Sequence, residues 1–279
     1  MTIAVAVRTG SAVVFAADSK VTTSGIVGIE EDGNPRWMEQ TYDNATKVVH
    51  DASKTVMALV AGEANIGQET AMDFIMARDL RQIGSASDQD NEVASLIESM
   101  VERKKEYWGE QKIEPERWPG PTLLLAVPAV GKKIPRVWRA DLRGEGSEVV
   151  EILTLPSIRL EGSYNEVFGL LYGFESNVLS GIMDQLKIEK EKIGEAIRDS
   201  KVLKPLDKLS LWSMPIQDAI DLAVFLAKVQ VEMDRFLPGQ PACGGPIDVM
   251  VLRMVPECAI LNFAGKRLHH PINESSHGE

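Results

Sequence analysis

The fold is decided by residues 2–25, TIAVAVRTGSAVVFAADSKVTTSG, in which two short apolar runs flank a Gly10-Ser11 turn. β-Branched residues and alanine dominate both runs, which predicts two buried, neighbouring strands over residues 2–8 and 11–18. The second run ends at a charged residue, Asp18. A carboxylate at the end of a buried strand needs a cation or hydrogen-bond donors. We therefore expect Asp18 to have a partner from elsewhere in the chain.

Thr2 directly follows the initiator methionine. Methionine aminopeptidases remove Met1 when the next side chain is small, so Thr2 is expected to become the mature N-terminus. It would then carry a hydroxyl and a free α-amine, and such amines have an ordinary pKa of about 7.7–8.0. A neighbouring amine can take the hydroxyl proton, as in N-terminal threonine catalysis. Considered alone, Thr2 is better explained as an ordinary second residue.

Residues 44–64, NATKVVHDASKTVMALVAGEA, supply two further candidates. Lys47 opens an apolar strand, and beside Asp18 its charge would favour the alkoxide form of the Thr2 hydroxyl. Gly62 ends the next strand where a helix is predicted, and a backbone N–H at such a junction suits an oxyanion. Spacing alone favours plainer roles: a turn cap for Asp18, an edge strand for Lys47 and a turn for Gly62.

The remaining pattern predicts one α+β unit. Residues 24–44 are polar and punctuated by Gly, Asp and Pro, and are interpreted as an exposed excursion. Apolar periodicity predicts helices over 64–82, 91–109 and 216–236, and another beginning near Ser176. Further strands are predicted over 122–130, 135–144, 149–160, 165–172 and 247–254.

Composition excludes several classes of function. The net charge of −11 and the pI near 5.0 disfavour binding to nucleic acid or to an anionic membrane surface. The sequence has no apolar run of membrane-spanning length and no signal-peptide pattern, so a cytoplasmic location is expected. Two cysteines form no disulfide framework, and three of the four histidines lie in the polar tail. No metal and no organic cofactor is therefore expected.

These segments together resemble the proteasome β-subunit family of N-terminal-nucleophile hydrolases. Residues 2–25 are similar to the family's threonine-led strand, turn, strand and A-D-S/T-R-A-T motif. Residues 44–64 are similar to its K-V segment and A-G-x-x-A-D turn. Residues 219–236 and 243–252, AIDLAVFLAKVQVEMDRF and CGGPIDVMVL, resemble its long helix, Gly-Gly turn and final strand. The insertions and the GGPIDVMVL ending look closer to divergent bacterial proteasome-related proteins.

The resemblance implies a four-layer αββα sandwich, with two antiparallel sheets between helices, over a single domain of residues 1–279. It implies insertions around 26–42 and 186–210 and a frayed tail from about 266. The implied activity is that of a threonine peptidase, with Thr2 as nucleophile, Asp18 and Lys47 as the supporting ion pair and Gly62 at the oxyanion. The implied assembly is a homo-oligomeric ring or stacked spiral, joined through the helices at 64–109, that admits peptides or unfolded proteins. The sequence specifies no ATPase regulator.

The chain departs from the family pattern at several positions. Lys20 stands where the family has arginine, which loses the forked guanidinium geometry. Asp234 and Cys243 are the closest matches to a supporting aspartate and serine, but FLPGQPA separates them. Ser163 and Ser176 both match a further supporting serine, and the sequence does not choose between them.

Two other functions stay open. One is an amidase or acyl transferase with the same nucleophile that acts on small amides, because the long segment at 26–42 would close the site to proteins. The other is a non-catalytic, ring-forming scaffold subunit, for which retention of Met1 would be diagnostic.

Overall fold

The computed structural model describes residues 2–29, 35–110, 114–129, 131, 134–173, 176–187, 192, 208–254 and 258–263. Within these residues the chain forms two five-stranded antiparallel sheets and a separate two-stranded ribbon. The strands are β1 Ile3–Arg8, β2 Ala12–Asp18, β3 Val21–Ile29, β4 Pro35–Tyr42, β5 Val48–His50, β6 Met57–Gly62, β7 Pro121–Val127, β8 Arg136–Asp141, β9 Glu148–Ile152, β10 Ser157–Gly162, β11 Ile247–Arg253 and β12 Ala259–Asn262. The helices are α1 Ala71–Met76, α2 Arg81–Ser85, α3 Gln89–Gly109, α4 Asn165–Tyr172, α5 Ser176–Leu186 and α6 Ile216–Asp234.

Three clusters of buried apolar side chains hold these elements together. The first sheet has the order β10-β1-β2-β11-β12, and the second has the order β5-β6-β7-β8-β9. Alternate residues of each strand face opposite sides, so one face of each sheet packs on the other sheet, as Phe15 and Leu124 do. The other face of the second sheet packs against α1–α3, and that of the first sheet packs against α4 and α6.

The register of the first sheet brings three chain segments together at one end. β1 lies between β2 and β10, with Ile3 opposite Gly162. β2 pairs on its other side with β11, with Asp18 opposite Ile247. The start of β1 is therefore adjacent to the end of β10 and close to the end of β2.

The structure corrects three predicted elements. The strand predicted over 149–160 is two strands, β9 and β10, with a turn between them. Residues 165–172 form helix α4 and not a strand: Val167 and Leu171 lie one turn apart and are buried, and Gly173 ends the helix with a φ of 86°. Residues 64–82 form two short helices and not one. Thr70 caps the start of α1, and the Leu80 N–H is taken by the Asp51 carboxylate instead of continuing the helix.

Other predictions agree with the structure in part. The predicted helices at 91–109 and 216–236 correspond to α3 and α6, and the strands at 2–8 and 11–18 correspond to β1 and β2. Residues 24–44, interpreted as an exposed excursion, largely form the β3–β4 ribbon. Their polar composition gives no sign of paired strands. The insertion predicted at 186–210 falls mostly outside the described residues, and the tail from about 266 lies wholly outside them. Across the described ranges, no helix has both the length and the apolar character needed to cross a bilayer.

Candidate functional site

Asp18 and Lys47 form a buried ion pair at the end of β2. The Lys47 Nζ donates to Asp18 Oδ1 at 2.9 Å, and both side chains are nearly inaccessible to solvent. Lys47 directly precedes β5, and its carbonyl accepts from the Val60 N–H on β6 at 2.9 Å. The pair therefore joins the two sheets. A buried ion pair needs further hydrogen bonds to offset the loss of hydration.

Backbone donors supply those hydrogen bonds to Asp18. Its Oδ1 also accepts from the Ile3 N–H at 3.1 Å, and its Oδ2 accepts from the N–H groups of Lys20 at 3.3 Å and Gly244 at 2.9 Å. Both carboxylate oxygens thus have two donors each. The bond to Ile3 fixes Asp18 against the residue that directly follows Thr2.

Thr2 is held against the end of β10. Its carbonyl accepts from the Ser163 N–H at 2.7 Å, and Thr2 itself is buried. Gly162 has a φ of 84°, and a Cβ at this position would lie 1.9 Å from the Thr2 carbonyl oxygen. Only glycine therefore permits this contact between β10 and Thr2.

Thr2, Lys47 and Gly62 line one cavity of about 620 Å³, which we call the β2-side cavity. Residues 20–23, which follow β2, form one wall, and Met72 and Met76 of α1 contribute to another. Gly62 ends β6 with a φ of 83°, a conformation that favours glycine. The cavity is large enough for an amino-acid side chain and exposes polar and apolar groups.

A Gly-Gly turn connects this site to α6. Besides the Gly244 N–H bond to Asp18, the Gly244 carbonyl accepts from the N–H groups of Ser19 and Lys20 at 3.0 and 2.9 Å. The neighbouring Cys243 N–H donates to Asp234 Oδ2 at 2.8 Å. Asp234 and Cys243 therefore support the turn that holds Asp18.

Gln230 extends this network to α4. Its Nε2 donates to Asp234 Oδ1 at 2.9 Å and to Glu166 Oε2, and the side chain is buried. Burial raises the pKa of the Cys243 thiol well above its ordinary value, and the Asp18 and Asp234 carboxylates raise it further. The thiol stays protonated at neutral pH, so Cys243 is not a nucleophile here.

The predicted residues thus occupy two neighbouring places. Asp18 and Lys47 are in direct contact, and Lys47 lines the same cavity as Thr2 and Gly62. Asp234 and Cys243 form the second group, which supports the Gly-Gly turn that holds Asp18. Ser163 is adjacent to Thr2 through its backbone, whereas Ser176 begins α5 more than ten residues further along the chain.

Sequence reasoning missed Gly162 and Gln230, and it named the Gly-Gly turn without giving Gly244 a role. Gly162 ends β10 as Gly62 ends β6, but the strand predicted there stops at residue 160. Gln230 is a polar residue on the buried stripe of α6, at helical spacing from Ala223 and Leu226. A search for polar residues on apolar helix faces would have found it. In the part of the chain that the structure describes, no three His, Cys, Asp or Glu side chains are grouped to hold a metal ion.

Comparison with known proteins bears on the fold. No family model and no curated protein matches the chain. A solved structure of an Anbu (Gly-1) mutant from Hyphomicrobium sp. strain MC1 aligns with 96% of this chain and 89% of its own, at 13% identity and a TM-score of 0.50. Anbu from the same strain in another crystal form covers 95% and 88%, at 13% identity and a TM-score of 0.43, and is too distant to add to this. At such identity the first similarity concerns the fold alone.

Proposed function

We propose that this chain is a threonine-type peptidase related to the proteasome β-subunits, with Thr2 as nucleophile after removal of Met1. One observation carries the proposal: a buried Asp18–Lys47 ion pair lies at the wall of the cavity that also contains Thr2 and Gly62. Burying an ion pair costs hydration energy, and well-packed apolar residues of similar volume often stabilise a fold equally well. Stability alone therefore does not explain this pair. A charged pair buried at the wall of a cleft is a candidate catalytic group.

In the first half of the reaction the Thr2 Oγ attacks the scissile carbonyl. The Thr2 α-amine, directly or through a water molecule, takes the hydroxyl proton and passes it to the leaving amine. The Lys47 ammonium lowers the pKa of the hydroxyl, and Asp18 orients and electrostatically stabilises that ammonium. The Gly62 N–H stabilises the oxyanion. The products are an ester on Thr2 and the released amine.

In the second half, water attacks the ester carbonyl. The α-amine accepts a proton from that water, the Thr2 Oγ–acyl bond breaks, and the hydroxyl recovers a proton from the ammonium. The carboxylic acid product then leaves and the free threonine is restored. The chain's own residues supply every proton transfer in this scheme.

The packing of helices on sheets supports the four-layer fold that the resemblance to the proteasome β-subunits implies. Helices α1–α3 cover one sheet, α4 and α6 cover the other, and the two sheets face each other. We propose that these layers form an αββα sandwich. The fold of this chain is similar to that of Anbu, a proteasome-like bacterial protein. From the resemblance to the proteasome β-subunits we propose that this chain forms a homo-oligomeric ring or stacked spiral.

The test is hydrolysis by Thr2→Ala. Casein and a fluorogenic peptide library serve as substrates, and we expect the variant to lose at least about a hundredfold in rate, because removal of a catalytic nucleophile leaves only binding effects. Thr154→Ala is the matched control, since Thr154 is exposed in the turn between β9 and β10. Unchanged hydrolysis by Thr2→Ala would refute the assignment.

Intact mass after incubation with a peptide epoxyketone checks the nucleophile itself. This electrophile reacts with the hydroxyl and the α-amine of one N-terminal threonine, so a single adduct on a chain without Met1 is expected. A chain that retains Met1, forms no adduct and hydrolyses nothing would instead favour the scaffold role. Turnover of small amides without cleavage of peptides would favour the amidase.

A further inference from the structure

A second cavity lies at the end of β10, the strand whose Gly162 contacts Thr2. It has a volume of about 650 Å³, and its lining includes Gly62, which it shares with the β2-side cavity, and Gly162, which contacts Thr2. We call it the β10-side cavity, because the end of β10 forms part of its wall. Since the first cavity contains Thr2 and the two cavities share Gly62, they meet close to Thr2. A substrate bound across Thr2 would occupy both.

Four arginines line the β10-side cavity: Arg117, Arg139, Arg143 and Arg159. This concentration of guanidinium groups is unusual in a chain whose net charge is −11. The cavity also contains carboxylates, so the pairing of each arginine decides whether the site has capacity for another anion.

Two carboxylates partly neutralise three of these arginines. Arg139 donates to Glu161 at 2.9 Å and to Asp141 at 3.1 Å, and so ties β8 of one sheet to β10 of the other. That role is structural. Among the residues that the structure describes, Arg143 forms an ion pair only with Asp141, and Arg159 forms one only with Glu161. Three guanidinium groups therefore share two carboxylates.

Arg117 forms no ion pair with any residue that the structure describes, and its side chain is exposed. Two other glutamates, Glu63 and Glu116, line the cavity and are exposed like Arg117, so solvent screens all three charges. Neither glutamate forms an ion pair with an arginine among the described residues. Glu63 accepts from the Asn65 backbone and side-chain amides. The unpaired guanidinium of Arg117 and the open edges of Arg143 and Arg159 remain available as donors.

A buried lysine fixes the loops that carry these arginines. Lys104 of α3 is fully buried and donates to the carbonyls of Leu142 and Gly144, on either side of Arg143. The Gly144 N–H in turn donates to the carbonyl of Trp118, which follows Arg117, at 3.0 Å. Burial of a lysine is costly, and here it holds Arg117 and Arg143 on loops of fixed relative position. Such preorganisation favours ligand binding.

We propose that the β10-side cavity binds a carboxylate of the substrate, presented beside the scissile amide as a chain-terminal carboxylate or as an Asp or Glu side chain. The inference rests on the proposed function, because it assigns both cavities to one substrate. Arg117 and Arg143 are the specificity-determining residues. Guanidinium donors bind planar carboxylates through paired hydrogen bonds, which suits an acidic peptide.

The experiment measures binding, so that it is independent of hydrolysis. Isothermal titration calorimetry is performed on Thr2→Ala with four N-acetylated hexapeptides of Ala and Gly: a free C-terminal carboxylate, the C-terminal amide, and the amide with either Asp or Asn at the third position. The first pair tests the terminal carboxylate and the second pair tests the side chain. We expect at least one carboxylate form to bind about five- to tenfold more tightly than its neutral match.

The same titration is repeated with Arg117→Gln/Arg143→Gln in the Thr2→Ala background, where the preference should fall below about twofold. Arg81→Gln/Arg235→Gln, two exposed arginines outside the cavity, makes the same change in net charge and should retain the preference. Equal binding of all four peptides, including no detectable binding, overturns the proposal, as does a preference that survives loss of Arg117 and Arg143. If Thr2→Ala prefers the carboxylate peptides but the unsubstituted protein hydrolyses no peptide, the peptidase function alone would be refuted.

Discussion

Asp18 connects three parts of the site through one carboxylate. It binds the Lys47 ammonium, the backbone beside Thr2 and the Gly-Gly turn at Gly244. In Asp18→Asn one oxygen becomes an N–H donor that faces other donors, and Lys47 stays buried without a counterion. We expect a loss of about 3–5 kcal/mol in the free energy of unfolding, measured by urea denaturation, together with loss of hydrolysis. Asp79→Asn, which removes an exposed ion pair, should cost far less, because solvent screens such pairs.

Asp51 performs a structural role with the same chemistry. Burial raises the pKa of Asp51, but hydrogen bonds from Ser53, Val56, Leu80 and Thr55 outweigh that effect and hold the pKa below its ordinary value. These donors fasten the β5–β6 turn to the start of α2. The carboxylate is therefore a fixed acceptor on which two elements depend.

The lowered pKa gives a pH dependence of defined sign. A carboxyl group whose pKa is lower in the folded state stabilises the fold at pH values above its unfolded pKa of about 3.9. That contribution is lost as the pH falls through the pKa of the folded state. Asp51→Asn should lower the free energy of unfolding by about 1–3 kcal/mol at pH 7. The difference should narrow steadily in urea titrations taken from pH 5 towards pH 2. A difference that is constant over this range would contradict the role assigned to the ionised carboxylate.

At the level of elements, the contact between β10 and β1 positions Thr2. A Cβ on residue 162 would lie 1.9 Å from the Thr2 carbonyl oxygen, and the left-handed φ adds strain. In Gly162→Ala the end of β10 must move away from β1, which displaces Thr2. We expect a loss of at least about 2 kcal/mol in unfolding free energy and at least about a tenfold loss of hydrolysis, measured by calorimetry and peptide assay.

Gly146→Ala is the control for Gly162→Ala, because a Cβ at Gly146 meets no atom within 4 Å. It should leave stability and hydrolysis unchanged. If Gly162→Ala were as active as Gly146→Ala, the position of Thr2 would not depend on β10.

Sequence patterns predict best where one local signal determines the element. The runs before and after Gly10-Ser11 are buried on both faces and predict β1 and β2, and Asp18 is visible because it interrupts apolar sequence. Residues 165–172 are apolar enough for a strand, and only packing on α6 shows that the spacing of Val167 and Leu171 is helical. The contact of Gly162 with Thr2 and the bond from Gly244 to Asp18 join residues far apart in the chain. Such contacts follow from tertiary register, which no local pattern encodes.

For the whole molecule, the distribution of exposed apolar side chains bears on assembly. The resemblance predicted contacts through the helices at 64–109, yet among the described residues of α1–α3 only Met76 is a large exposed apolar side chain. The opposite helical layer is different. Phe225 and Met233 of α6 are 53% and 43% exposed at helical spacing, and Leu170 of α4 and Ile182 of α5 are each 45% exposed. Exposed apolar side chains concentrated on one helical layer are typical of a surface that contacts another protein.

The proposed homo-oligomer should therefore assemble through α4–α6. Phe225→Glu/Met233→Glu places two charges on that surface, and since a buried apolar side chain contributes about 1.5–3 kcal/mol, we expect the assembly to dissociate towards the 30.7 kDa chain. Sedimentation velocity at micromolar concentration measures the change. Met76→Glu is the matched control on the other layer and should leave the assembly intact. Dissociation by Met76→Glu alone would move the interface to α1–α3, and a monomeric parent protein would contradict the assembly itself.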